Sequence, residues 1–430
     1  MSKLSERRDN AIVRVDYLLH QLQNPIESQP QISRVDDQLR QVNGKDYEPE
    51  TVAIGPIHRG KDSLMNMEHH KVRYLKQLLQ RIERLSIEKC VIKLREIEEQ
   101  ARQCYPQAFH LDRDEFVVML LLDGCFVIEL VRKYWFEDLR DKNDPIFKYD
   151  HTLSRIKRDL MLLENQLPFF VLKQLFDMTK SNDPEENIHY LVLVFVVDML
   201  PWTDASKIYS KSDSLYSDDH LLGLIYRSCF SFSSNYFIEK NGDKGNNLVH
   251  INSTSELKEA GIRLKRSKGM NLLDATFLEG VLNLPPIQVS DNTESILRNL
   301  IAYELCLSNN HPKYVTSYAF LMNCLINSSK DVAILRRHGI ISNFLGGDGM
   351  ICDMFSRLGT NVLISSSFCY FDVFERVNRH CRIRHKMWVT KLRRNYFNSP
   401  WSMLSFLGAT TLIFFTITQT VFSALSYRDK

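Results

Sequence analysis

Between Met403 and Leu425 the chain runs for 23 residues without a single charge. A helix of that length reaches about 35 Å at a rise of about 1.5 Å per residue, enough to cross a hydrocarbon core of about 30 Å with some tilt. Lipid offers a peptide group no hydrogen-bond partner, so a run of this kind must pair its own backbone, as a helix does. Its apolar surface comes from Met403, Leu404, Phe406 and Leu407, from Leu412, Ile413, Phe414, Phe415 and Ile417, and from Val421, Phe422 and Leu425. Trp401 stands at the N-terminal edge, where an indole ring prefers the headgroup level. The Ser and Thr residues are tolerable because short hydroxyl side chains bond back to helix carbonyls. The expectation is one transmembrane anchor over 402–426 on an otherwise soluble protein.

The flanking charges set its orientation. Arg382, Arg384, Lys386, Lys391, Arg393 and Arg394 precede the run, and Arg428 and Lys430 follow it. The positive-inside rule keeps the N-terminal portion in the cytosol, which gives a tail-anchor layout. The juxtamembrane run Lys386, Lys391, Arg393 and Arg394 also suits anionic headgroups, at about 1 kcal/mol per charge near the surface. A topology signal on a solvated helix face is the plainer use of the same residues.

The start of the chain agrees with a cytosolic body. Ala11-Ile12-Val13 is followed at once by Arg14 and Asp16, so no signal-peptide core forms. Gly does not follow Met1, so N-myristoylation is not expected. Nine cysteines (Cys90, Cys104, Cys125, Cys229, Cys306, Cys324, Cys352, Cys369 and Cys381) include no Cys-x-x-Cys pair, and several sit in apolar runs. That suits reduced, buried thiols better than a disulfide framework or a zinc site. A net charge of +3 over 430 residues gives a nucleic-acid surface no support. With 44% hydrophobic and 25% charged residues, the body has material for a sizeable core.

Residues 1–30 read as a variable polar arm, broken by the prolines of Gln23–Pro30. A first lobe over 31–202 opens with irregular chain to Gly60. A helix then carries the stripe Val72, Leu75, Leu79 and Ile82, and a charged helix covers about Leu94–Arg102. Glu115–Arg132 is the most apolar interior segment, and its acidic interruptions make it a buried core helix. Helices are expected over Leu153–Glu164 and over Phe169–Thr179, with Pro168 at the first position of the latter. His189–Leu200 fits helix and strand alike. A Ser-rich insert spans 203–255, with a short apolar helix near His220–Tyr226. The second lobe, 256–395, begins with a strand at Gly261–Arg266 and a bent strand pair over Thr276–Leu284, closed by Pro285-Pro286. Helices resume over Thr293–Ser308, Tyr314–Asn327 and Asp331–His338, with Gly339 as a C-cap, and a long helix runs over Asn361–Arg394. The fold class is therefore α+β: a mainly α-helical globular body with a small antiparallel sheet, plus one C-terminal transmembrane helix.

Ordered blocks of this sequence resemble a known family, the plant domain of unknown function 247. They are Tyr47–His58 (YEPETVAIGPIH), Met67–Leu75 (MEHHKVRYL), Leu122–Leu130 (LDGCFVIEL), Leu163–Phe170 (LENQLPFF), Glu256–Ile262, Asn299–Glu304 (NLIAYE) and Tyr396–Trp401 (YFNSPW). Asp36-Asp37 departs from the pattern, where the family often has Pro. The resemblance implies a membrane-attached protein without established catalytic residues or cofactor, so no functional residue carries over. Some members lie at the self-incompatibility loci of grasses as proposed male determinants of pollen recognition, which implies the plasma membrane.

No phosphate-binding loop, nucleophile elbow, zinc-protease helix or kinase signature occurs. Asp123, Glu129 and Glu164 interrupt apolar segments. Such carboxylates serve acid–base chemistry if they share a pocket, or hold cations and backbone amides if they do not. His58, Glu68, His69 and His70 are the most metal-like cluster, but adjacent helical histidines point about 100° apart. Gly346-Gly347-Asp348-Gly349 reads as a loop. Asn252 and Asn327 head glycosylation triplets, which a cytosolic body leaves unmodified. The leading expectation is a non-enzymatic, membrane-anchored recognition or signalling protein with protein partners, no nucleic acid and no cofactor. A cryptic carboxylate enzyme and a membrane-tethered scaffold remain the alternatives.

Overall fold

The computed structural model describes residues 31–83, 85–106, 109–180, 186–202, 219–230, 250–269, 271–308, 311–360, 368–396 and 400–428. The expected arm, and residues 203–218 and 231–249 of the expected insert, lie outside these.

Helix α1 (Asp37–Val42) starts where the Asp36 carboxylate accepts from the Gln38 N–H at 2.8 Å. A 3-10 turn over Gly44–Tyr47 follows, and residues 48–58 then form neither helix nor strand. In α2 (Met65–Arg81) the buried stripe is Met67, Lys71, Tyr74, Leu75 and Leu78, with Leu79 and Ile82 packed at its margin. Val72, expected in that stripe, is 53% exposed. It sits about 100° around the helix from Lys71, beyond the buried arc. The charged helix, α3 (Ile87–Gln103), begins earlier than expected because Ser86 caps it, accepting from the Lys89 N–H at 3.3 Å.

The expected core helix is α4 (Arg113–Trp135), opened by an Asp112/Glu115 capping box and buried over most of its length from Phe116 to Lys133. A short α5 (Pro145–Lys148) leads into α6 (Asp150–Asp159). The helix expected to reach Glu164 stops at Asp159, because residues 160–166 turn and the Gln166 amide takes the carbonyls of Leu160 and Leu162 at 2.8 and 2.7 Å. Pro168 stands at the cap of α7 (Phe169–Thr179), one position before the expected one. The ambiguous valine-rich segment is helical, as α8 (Ile188–Val196) and a 3-10 turn, and its Asn187 cap accepts from the His189 N–H at 2.8 Å. Helices α2, α3, α7 and α8 all pack on α4. Within the expected insert, α9 (Leu221–Phe230) is a buried helix.

The second half begins with α10 (Thr254–Glu259), again opened by a capping box, and the strands β1 (Arg263–Arg266), β2 (Thr276–Leu278), β3 (Val281–Leu284) and β4 (Ile287–Val289). Helices α11 (Thr293–Cys306), α12 (Tyr314–Leu325) and α13 (Ser329–Arg337) precede β5 (Ile341–Asn343) and α14 (Asp348–Leu358). Gly339, at φ +67° just past the last turn of α13, takes the expected C-cap role. Gly347 caps α14 and Asp348 opens it, so the glycine-rich stretch is a helix start as well as a loop. The described part of the long helix is α15 (Phe371–Tyr396), and α16 (Pro400–Arg428) follows. Residues 361–367 of the expected Asn361 start lie outside the described residues.

The mainly helical α+β architecture is the one expected, but the sheet is mixed. β2 and β3 pair antiparallel through a tight turn at Glu279 and Gly280, with φ of 49° and 74°. β1 lies parallel to β3 on its other side, Arg263 opposite Val281, so the order is β1-β3-β2. Nor does Pro285-Pro286 end the strands: β4 pairs in parallel with the distant β5, Ile287 opposite Ile341. One continuous apolar core runs from Ile32 to Val377, through both expected lobes. All nine cysteines are free, five of them buried.

Candidate functional site

Residues 48–58 are largely buried yet carry no ladder hydrogen bonds, so their peptide groups need other partners. Asp159 at the end of α6 and side chains from other sequence blocks supply them. The Asp159 carboxylate accepts from the N–H groups of Glu50, Thr51 and Val52 at 3.0, 2.7 and 3.0 Å. Asn165 accepts from the Ile54 N–H at 2.7 Å and donates to the Val52 carbonyl at 3.0 Å. Asp123 Oδ2 accepts from the Gly55 N–H at 2.9 Å, and Lys71 donates to the Ala53 carbonyl at 2.6 Å. Gly55 holds φ at +76°, and a Cβ there would stand 2.5 Å from the Gln166 carbonyl oxygen.

The three candidate carboxylates are each placed against a different cation. Asp123 Oδ1 receives the Lys71 ammonium at 2.6 Å, both groups fully buried. Burial pushes the Asp123 carboxyl above the usual range, against the pull of Lys71. Glu129 is gripped by both terminal nitrogens of Arg81 at 2.6 Å. Six positions apart on α4, Asp123 and Glu129 point to different sides. Glu164 accepts from the Val35 N–H at 2.8 Å and from Arg40 at 2.5 Å. The arrangement does not bring the three together; each ties one element to another.

The histidine cluster disperses in the same way. His58 is buried with Nε2 at 3.5 Å from Glu164, and its ring is pushed down to about 4, by burial first and by Lys61 second, against the pull of Glu164. Glu68 binds Lys71 at 2.5 Å, and His69 is exposed. Among the described residues no three His, Cys, Asp or Glu side chains converge as a metal ion would need.

Several buried polar residues escape a reading of the sequence. Lys133 donates to Asp144 at 2.9 Å and stands 3.9 Å above the Tyr74 ring, whose hydroxyl also reaches Asp144. Arg132 pairs with Glu186 and donates to Thr179. Glu304 accepts from the Val315 and Thr316 N–H groups, the Thr316 hydroxyl and the Tyr226 hydroxyl, so it holds the start of α12. Asn299 links the Leu163 N–H to the Asp46 carbonyl at 2.9 Å on each side. Basic pairs inside an apolar helix, such as Arg132-Lys133, are the signal that marks such positions in a sequence.

The remaining candidate is α16, whose stretch Leu404–Phe422 is long and apolar enough to cross a membrane and has none of its length buried in the protein. Its threonines bond back to the helix: Thr410, Thr411, Thr416, Thr418 and Thr420 each donate to the carbonyl four residues earlier at 2.6–2.9 Å. Leu404, Phe406, Leu407, Leu412, Ile413, Phe414, Phe415, Ile417, Val421 and Phe422 are all exposed. The backbone at Trp401, Met403 and Leu425 is helical within α16, and that at Lys386, Lys391, Arg393 and Arg394 is helical within α15.

The model of the domain of unknown function 247, described as a plant protein of unknown function, matches residues 32–415. The UPF0481 protein At3g47200 of Arabidopsis thaliana is 28% identical over 422 residues, covering 93% of this chain and 87% of its own. The putative UPF0481 protein At3g02645 of the same plant is 24% identical over 455 residues, covering 85% of each chain. No solved structure matches the chain.

Proposed function

The chain belongs to the plant domain of unknown function 247 family, and on that premise we propose that it is a non-enzymatic, membrane-tethered recognition or signalling module whose body faces the cytosol. The observation that carries this reading is α16, an uncovered apolar helix whose threonine hydroxyls are bonded within the helix, as hydrocarbon demands. The basic residues ahead of it support a cytosolic body, as do nine free thiols. The engagement of Asp123, Glu129 and Glu164 with cations and backbone supports a structural use of these groups, since an acid or base must reach its substrate.

Tethering confines the body to the bilayer surface and raises its effective concentration for other membrane proteins. The resemblance to members at grass self-incompatibility loci supports the plasma membrane, with pollen recognition as one setting. There the body acts on the cytosolic side of a recognition event. Alkaline carbonate extraction tests the tether. The full chain is expected in the membrane pellet, and a variant lacking Leu404–Phe422 in the supernatant with an unchanged melting temperature. Release of the full chain by carbonate would refute the reading.

A further inference from the structure

The three-stranded sheet turns one face to the core and the other to solvent, and the solvent face is basic. The register places Leu264, Leu282 and Phe277 in one row on the buried side. Arg263, Val281 and Leu278 form a row on the opposite side, and Lys265 extends it one pleat further. On that side Arg263, Lys265 and Leu278 are exposed, Leu278 to 64%, whereas Arg266 shares the face of Leu264 and passes beside Gly339. No ion pair joins Arg263 or Lys265 to a carboxylate among the described residues. The exposed acids nearest in the chain are Glu259, at the end of α10, and Glu279, in the turn.

The buried side fixes this sheet to the helix that leads to the apolar span. The Phe277 ring meets the His380 ring edge-on at 5.5 Å, and the same imidazole packs beneath Gly280. From His380 the helix α15 continues unbroken to Tyr396, about 24 Å of rise through the juxtamembrane basic run, and α16 starts at Pro400. Attraction between exposed cations and an anionic leaflet falls off within a Debye length, about 8 Å at physiological salt, so a face carried on this helix is useful only when it lies on the surface.

We propose that the outward face of β1, β3 and β2 docks on an anionic lipid surface of the membrane that α16 crosses. Arg263 and Lys265 meet the headgroups, and Leu278 reaches the first acyl carbons. The inference rests on the tethered reading above and deepens it: the body lies against the bilayer and does not swing freely from its anchor. Charge complementarity selects the occupant, because two unpaired cations on one face with a bare leucine match an acidic interface with an apolar layer beneath.

Hydrogen exchange on the full chain in nanodiscs tests this, with discs of phosphatidylcholine alone compared with discs that also hold phosphatidylserine. Amides of Arg263–Arg266 and Thr276–Leu284 are expected to exchange several-fold more slowly in the anionic discs, and the difference should vanish in high salt. The R263Q/K265Q variant should lose the protection while keeping its melting temperature, as both side chains are solvated. Equal exchange in the two discs with the chain still inserted overturns the docking but leaves the tether intact. Failure to enter either disc overturns the tether itself. Protection that survives in R263Q/K265Q, or that a polyglutamate peptide induces and phosphatidylserine does not, also overturns the proposal, the second by assigning the face to an acidic protein segment.

Discussion

Lys71 meets Asp123 inside the core, its ammonium 2.6 Å from Oδ1 with both side chains out of water. The pair is the centre of a polar lattice, because Lys71 also holds the Ala53 carbonyl and Asp123 the Gly55 N–H. Lys71, Asp123, Asp159 and Asn165 thereby hold an extended, buried stretch of chain in place of a strand partner. Breaking a buried pair leaves a bare charge, which costs about 3–5 kcal/mol. Lys71→Met is therefore expected to lower the free energy of unfolding by that amount in urea titration. A loss below about 1 kcal/mol would contradict the role assigned to the lattice.

Gly55 provides a steric test of the same region. Alanine there must hold φ at +76° and push its Cβ against the Gln166 carbonyl. Backbone cannot retreat as a flexible side chain can, so Gly55→Ala is expected to cost well above the roughly 1 kcal/mol of an unfavourable φ alone. Gly60→Ala is the control: φ is +84° but nothing lies within 4 Å of a new Cβ. The two melting temperatures should differ clearly, with Gly60→Ala the milder.

His58 makes stability depend on pH. Its ring is held down to about 4 from 6.5, by burial first, so the folded state keeps it neutral while the unfolded chain takes up a proton. Its contribution is complete above pH 6.5 and is lost as pH falls from 6.5 towards 4, roughly 3 kcal/mol in all. Asp46 works in the opposite sense: burial, and then Glu294, raise its carboxyl to about 6, so it favours the folded state as pH falls. Comparing the wild type with His58→Gln cancels Asp46. The variant's urea midpoint should fall less steeply between pH 6.5 and 4; parallel curves would count against a neutral buried His58.

What could be read from the sequence, and what could not, divides along the range of the interactions. Asp112 and Glu115 announce α4 within four residues, and the apolar run behind them needs no distant information to be recognised as core. The uncharged run of α16 is legible for the same reason. β4 and β5 are three residues each, and their pairing of Ile287 with Ile341 leaves no local period to detect. The antiparallel expectation fails likewise at β1, whose partner is β3 and not the next strand in the chain. Asp159 looks like an ordinary polar residue at a helix end. Its role appears only when Glu50, Thr51 and Val52, over a hundred positions earlier, fold against it. Val72 lies one residue off the buried arc of α2, a displacement that spacing alone does not reveal.

The juxtamembrane charges lead to a prediction of their own. If Lys386, Lys391, Arg393 and Arg394 set the orientation, replacing all four by Glu is expected to lower the fraction of chains with a cytosolic body. An added glycosylation acceptor in the 203–217 segment would report this as a gain in mass. An unchanged fraction would assign orientation to other features.

A tethered body on the cytosolic side is tested most directly by protease protection of sealed microsomes that carry the full chain with one tag at Met1 and another after Lys430. Protease without detergent is expected to remove the Met1 tag and digest the body, leaving a short protected fragment with the C-terminal tag. A protected body with an accessible C-terminal tag would contradict the assigned topology.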